Sequence, residues 1–180
     1  NKKVIIVFPH LGYPPWPVNG IMISRTTEVD IREFAFEVIP KDIKIPFSLK
    51  KLRPLTSFPL NLDKAINYTK WLIGIETDLG LYLKDNYECD LFFIYFQELD
   101  NIQHIFWRYY DPNDPTYPGK TKYKDVIPDF YLYMDKVIGK FLDKLDNNEI
   151  MMVISDHGHG MRPYRIVNIN YILWKHGFLH

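Results

Sequence analysis

The sequence predicts an α/β fold, a mainly parallel β-sheet sandwiched between α-helices. Two observations carry that prediction. The runs "VIIVF" (4–8), "DLFFIYF" (90–96) and "IMMVIS" (150–155) are short and apolar throughout instead of alternating, as expected of strands covered on both faces. Between them lie stretches whose apolar residues recur at helical spacing, so that helix, strand, helix and strand in turn make a right-handed βαβ crossover between 90 and 155.

The first run follows two lysines and imitates a signal peptide, but its five apolar residues stop at Pro9, too few for a secretory core. It reads instead as an edge or parallel strand. "PHLGYPPWPVNG" (9–20) is too rich in proline for helix or central strand. "FAFEV" (34–38) is a further candidate strand. In "NLDKAINYTKWLIGIETDLGLYLKDN" (61–86), Ala65, Ile66, Trp71, Leu72, Ile75, Leu79, Tyr82 and Leu83 form a broad apolar stripe. A second helix runs from about Pro128, suited to the first helical position, with Tyr131, Met134, Val137, Ile138, Phe141 and Leu145 on one face and a stop at "DNN". Between the last two strands, "YYDPNDPTYPGKTKYK" (109–124) is a long loop of the kind that often carries function. With no repeat and no linker, residues 1–180 read as one domain.

Composition narrows the chemistry. Lys plus Arg and Asp plus Glu number 22 each, so no overall field draws the chain to a nucleic-acid polymer or an anionic membrane. An anionic substrate needs a local device, and a bound cation is the obvious one. Cys89 is the only cysteine, which excludes an internal disulfide and thiolate-rich zinc sites and points to a reducing, cytoplasmic setting. No apolar stretch reaches membrane-spanning length, since "WLIGIETDLGLYL" carries Glu76 and Asp78.

The motif "SDHGHG" (155–160) directly follows the third apolar run. It is either a plain polar loop or a metal site, because carboxylate and neutral imidazole are first-row metal ligands and glycine lets backbone close around an ion. In an open parallel sheet, ligands bind beyond the carboxyl ends of the strands. The strand at 90–96 runs into "QELDNIQHIFW", where Asp100 and His104, four residues apart, stack on one face if a helix begins near residue 100. Asp100 as a helix N-cap and His104 as a surface histidine is the competing reading. Together, Asp100, His104, Asp156 and His157 are the candidate metal ligands. Two divalent ions about 4 Å apart polarise a phosphoryl oxygen and neutralise a leaving oxygen. Oxygen and nitrogen ligands without thiolate suit zinc or manganese.

The stretches "PPWPVNGIMIS" (14–24), "ELDNIQHIFWRYYDP" (98–112), "YLYMDKVIGKFL" (131–142) and "VISDHGHGMRPYRIVNINYILWKHGFL" (153–179) resemble, in order and spacing, the type I phosphodiesterase and nucleotide pyrophosphatase family of the alkaline phosphatase superfamily. The resemblance implies an alkaline phosphatase-like sandwich with two metals, usually zinc. Asp156 and His157 would hold one ion, Asp100 and His104 the other. It implies small phosphate esters, nucleotides or pyrophosphates as substrates. It also implies departures: the family's Thr or Ser nucleophile and an Asp of the first site belong upstream of "PPWPVNG", and a third ligand of the second site, a His, beyond "NINYILWKHGFL". The chain is therefore expected to be an internal portion of a larger phosphodiesterase-like domain, truncated at both ends. It should occupy its metals weakly and have little or no activity alone. Thr26 and Thr27 are not assigned the nucleophile's role, and His159, His176 and His180 each compete for the missing ligand. The alternative is a non-catalytic binding or structural module of the same fold. Lys120, Lys122 and Lys124 are either a phosphate-attracting patch or a solvated basic loop. Trp16, Trp107, Tyr109 and Tyr110 either line a groove or pack, and Arg108 and Arg162 flank the predicted edge.

Overall fold

The first apolar run forms β1 (Val4–Val7), at the inside of a four-stranded sheet. The structure is a computed structural model that describes residues 2–26, 36–45, 61–161, 165 and 167–179. β1 pairs in parallel with β2 (Gly20–Arg25) on one side and β4 (Leu91–Ile94) on the other, and β3 (Phe36–Ile39) joins β2 antiparallel. The order is β3-β2-β1-β4. β2 escapes a reading by apolar runs because its apolar stretch is only Ile21 to Ile23, between Gly20 and Ser24, and it follows a proline-rich loop. Its first residue, Gly20, has φ 143°, and a Cβ there would collide with the Val4 carbonyl, so the approach of β2 to β1 requires glycine.

Register explains the core. Ile5 lies opposite Ile21 and Phe92, and Val7 opposite Ile23 and Ile94, so all six side chains share one face. That face packs on Leu72, Leu79 and Leu83 of α1 (Leu62–Asn86). Asn61 caps α1, its Oδ1 accepting the Lys64 N–H at 2.9 Å. A second cluster joins Ile73 of α1 to Ile102 and Phe106 of α2 (Glu98–Tyr110) and to Phe130, Val137 and Phe141 of α3 (Val126–Leu142). At Gly80 the layers touch: a Cβ would sit 2.9 Å from both Ile94 Cδ1 and Phe141 Cζ. A short α4 (Ile169–Lys175) follows.

The predicted helices form with small displacements. α3 starts at Val126, so Pro128 occupies the first turn instead of its first residue, still where no amide hydrogen is needed. Trp71 and Tyr131, predicted on buried stripes, are exposed, whereas Ile73, Glu76 and Thr77 are buried.

One prediction fails. Residues 150–155 form no strand, and among the described residues no βαβ return strand lies beside β4. Ile150 is 91% and Ile154 75% exposed, and only Met151 of the run packs on the core. An apolar run signals a preference for burial, but a strand also needs a partner edge about 4.8 Å away with matching hydrogen-bond groups. Among the described residues, no helix is long and apolar enough to cross a membrane.

Candidate metal centre

Because β1, β2 and β4 run parallel, their carboxyl ends share one edge of the sheet. β4 leads through Tyr95 to Gln97 directly into α2, whose N-cap is Gln97. Asp100 is thus inside the first turn and not an N-cap. His104 lies one turn on, with Nε2 3.4 Å from Asp100 Oδ1. This is the stacking that a spacing of four residues gives on a helix.

The loop after α3 brings a third group to the same place. His159 Nδ1 lies 3.8 Å from Asp100 Oδ1. Its ring stands edge-on to His104, centroids 4.6 Å apart, and rests on Trp107 at 5.1 Å. Donor atoms of Asp100, His104 and His159 all fall within 4.8 Å of one another. Asp100 Oδ1 is buried and, among the described residues, accepts no hydrogen bond.

Asp156 and His157 sit differently. Their side chains are 73% and 63% exposed, with His157 Nε2 3.8 Å from Asp156 Oδ2. His157 Nδ1 donates to the Gly158 carbonyl at 2.8 Å, which leaves Nε2 as the lone-pair nitrogen. That hydrogen bond, then the Asp156 carboxylate, raise the His157 pKa above the ordinary imidazole value, and Asp100 adds to the effect. Burial first, then the charges of Asp156, Asp100 and Glu98, push the Tyr95 phenol up. Both carboxylates therefore act on one hydroxyl at the end of β4. His10, just past β1, stands beside that ring at 5.7 Å.

Under α2 lies a charged triad. Arg25, at the end of β2, donates through Nη1 to Glu76 of α1 and through Nη2 to Glu98 of α2 at 3.1 Å, and all three side chains are buried. Two carboxylates and one guanidinium carry an uncompensated negative charge. Burial, then the neighbouring Glu98 charge, hold the Glu76 carboxyl well above the usual range, and Arg25 opposes without cancelling them. Burial alone would lower the Arg25 pKa, but Glu98 and Glu76 outweigh it and raise it. Glu98 lies two residues before Asp100, so the triad fixes the start of the helix that carries Asp100 and His104.

A family model described as type I phosphodiesterase / nucleotide pyrophosphatase matches residues 7–180. The chain belongs to that family. Searches of curated proteins and of solved structures found no match. The mostly parallel sheet with its helices agrees with the alkaline phosphatase-like α/β fold. Type I phosphodiesterases act on nucleotide or phosphodiester substrates and typically depend on divalent metals.

The residues at the end of β4 fit such an ion. Tetrahedral zinc with bonds of about 2.0–2.1 Å places its ligands about 3.3–3.4 Å apart. The Asp100–His104 separation of 3.4 Å has that value, and His159 at 3.8 Å is close to it.

Other candidates of this phosphodiesterase-family chain are otherwise engaged. Lys122 pairs with Asp63 at 2.6 Å and Lys124 with Asp125 at 3.3 Å, as in a solvated basic loop. Arg108 donates to the Thr116 carbonyl at 2.8 Å, tying α2 to the 109–124 loop. Trp107 flanks the metal candidates, whereas Trp16 is exposed away from any ring partner described. Tyr109 packs on Phe106 and Tyr123, and Tyr110 on Trp107. His176 ends α4 in an exposed position. Thr27, Arg162 and His180 lie outside the described residues.

Sequence reasoning passed over the triad and Tyr95, and left His159 level with two other histidines. Glu76 did leave a signal. It falls on the apolar stripe of α1, four residues after Leu72 and three before Leu79, where an unpaired charge has no place.

Proposed function

We propose that the chain carries the metal-bearing part of a two-metal phosphoester hydrolase acting on small phosphodiesters, nucleotides or pyrophosphates. Asp100 and His104 hold one ion, Asp156 and His157 the other, and zinc is the favoured metal, with manganese the alternative. The observation that supports this best is the 3.4 Å approach of Asp100 Oδ1 to His104 Nε2, ligand spacing without a hydrogen bond, in a chain of this family. When bound, the ions supply charge neutralisation at the phosphoryl and leaving oxygens. The chain's own groups position them: α2 presents Asp100 and His104 from a helix anchored by Glu98, and the Gly158 carbonyl sets the His157 tautomer.

We assign the nucleophile to none of residues 1–180. Thr26 is buried at the end of β2, and the Ser155 hydroxyl donates to the His157 carbonyl at 2.6 Å. Hydrolysis by these residues alone is weak or absent, and two protein ligands on the Asp156/His157 ion give it low occupancy. Crystals soaked in zinc and measured for anomalous scattering, with bis(p-nitrophenyl) phosphate turnover assayed in parallel, test both parts. Peaks on the two ligand pairs with negligible turnover are expected. Absence of metal from both pairs overturns the hydrolase reading in favour of a non-catalytic module, and robust turnover overturns the assignment of no nucleophile.

A further inference from the structure

We propose that His159 is a third ligand of the ion held by Asp100 and His104, so that this site fills first and the Asp156/His157 pair second. The inference deepens the proposed function and rests on Asp100 and His104 being ligands. The two helix residues supply two of the three or four protein donors that lasting zinc sites use. The second histidine of "SDHGHG" supplies the third. Its donor atom lies within 4.8 Å of those of Asp100 and His104, and the carboxylate oxygen facing both imidazoles is buried without a hydrogen bond among the described residues.

The two ligand sets differ in how well they are held before any ion arrives. The His159 side chain is 6% exposed and fixed between Trp107 and His104, whereas Asp156 and His157 project from an open loop. A preorganised donor loses less freedom on binding, so the three-donor site has the higher affinity. Two imidazoles and one carboxylate with no thiolate select a borderline divalent ion such as zinc or cobalt, and a fourth position stays open for a ligand from solution.

The competing account is that Asp100 merely pairs with two imidazoles and that His159 packs on Trp107. Calorimetric titration of the metal-free protein with zinc separates the two. His159→Phe keeps a flat ring on Trp107 but has no donor, and His159→Ala removes the ring. Both should weaken the first equivalent at least about tenfold, the loss that an outer-shell partner alone can cause. His157→Ala should remove only the second. If both His159 variants bind the first equivalent like the parent, the inference fails, and the proposed function survives provided Asp100→Asn abolishes that binding. If Asp100→Asn also binds normally, both fall. Should the His159 variants not fold by circular dichroism, zinc-edge X-ray absorption of His157→Ala with one equivalent decides: two imidazoles support the inference, one overturns it.

Discussion

Replacing Arg25 by methionine removes the cation that two buried carboxylates share while keeping a long unbranched side chain. At an effective dielectric constant of about 20, unit charges at the 3.1 Å separation of Arg25 and Glu98 attract by about 5 kcal/mol. Methionine recovers some packing but leaves the buried Glu98 carboxylate without its cation. Breaking a buried pair by deleting one partner costs about 3–5 kcal/mol, and that range is expected for Arg25→Met. Against a domain stability of about 5–15 kcal/mol this is a large share. Adding Glu98→Gln removes the stranded charge, so the double variant should recover about 1–3 kcal/mol of the loss. Urea unfolding at pH 7, followed by far-ultraviolet circular dichroism and tryptophan fluorescence, measures both. A loss below about 1 kcal/mol in Arg25→Met, or strictly additive losses in the double variant, would refute the reasoning.

The raised Glu76 pKa gives stability a sign with pH: the folded state binds the proton more tightly than the unfolded chain, whose carboxyl titrates near 4.5. Its contribution is complete below that value and declines, by up to about 1.4 kcal/mol per pH unit, as pH rises toward the folded-state pKa. Glu76→Gln should flatten this slope in urea midpoints compared from pH 4 to pH 9, and an unchanged slope counts against the raised Glu76 pKa. Gly80→Val drives methyl groups into Ile94 and Phe141, so thermal melts should show a loss of about 1–3 kcal/mol, and a neutral result would mean that α1 can move off the sheet.

How far the sequence can be read depends on how local the cause is. α1 and α3 were legible because a helical stripe is written in adjacent turns. Asp100 and His104 were legible as a pair for the same reason, one turn apart on α2. β1 and β4 followed from apolar runs, but residues 150–155 show the limit of that signal, which gives a preference for burial and no pairing partner. The triad joins positions 51 and 73 residues apart, a separation no periodicity records. His159 lies two residues beyond His157, and nothing local distinguishes the loop histidine that turns toward α2 from the one that turns to solvent.

The footing beneath α2 draws on three remote pieces of chain at once: Arg25 from the sheet, Glu76 from the long helix and Glu98 from α2 itself. An excised α2 peptide would display Asp100 and His104 at the proper interval yet stand on nothing. On the proposed assignment of Asp100 and His104 as ligands, ion capture by this helix is a late event in folding, appearing together with the finished tertiary structure. A metal-sensitive signal would then double as a gauge of native assembly, separating correctly folded molecules from compact ones whose helices have formed but not docked.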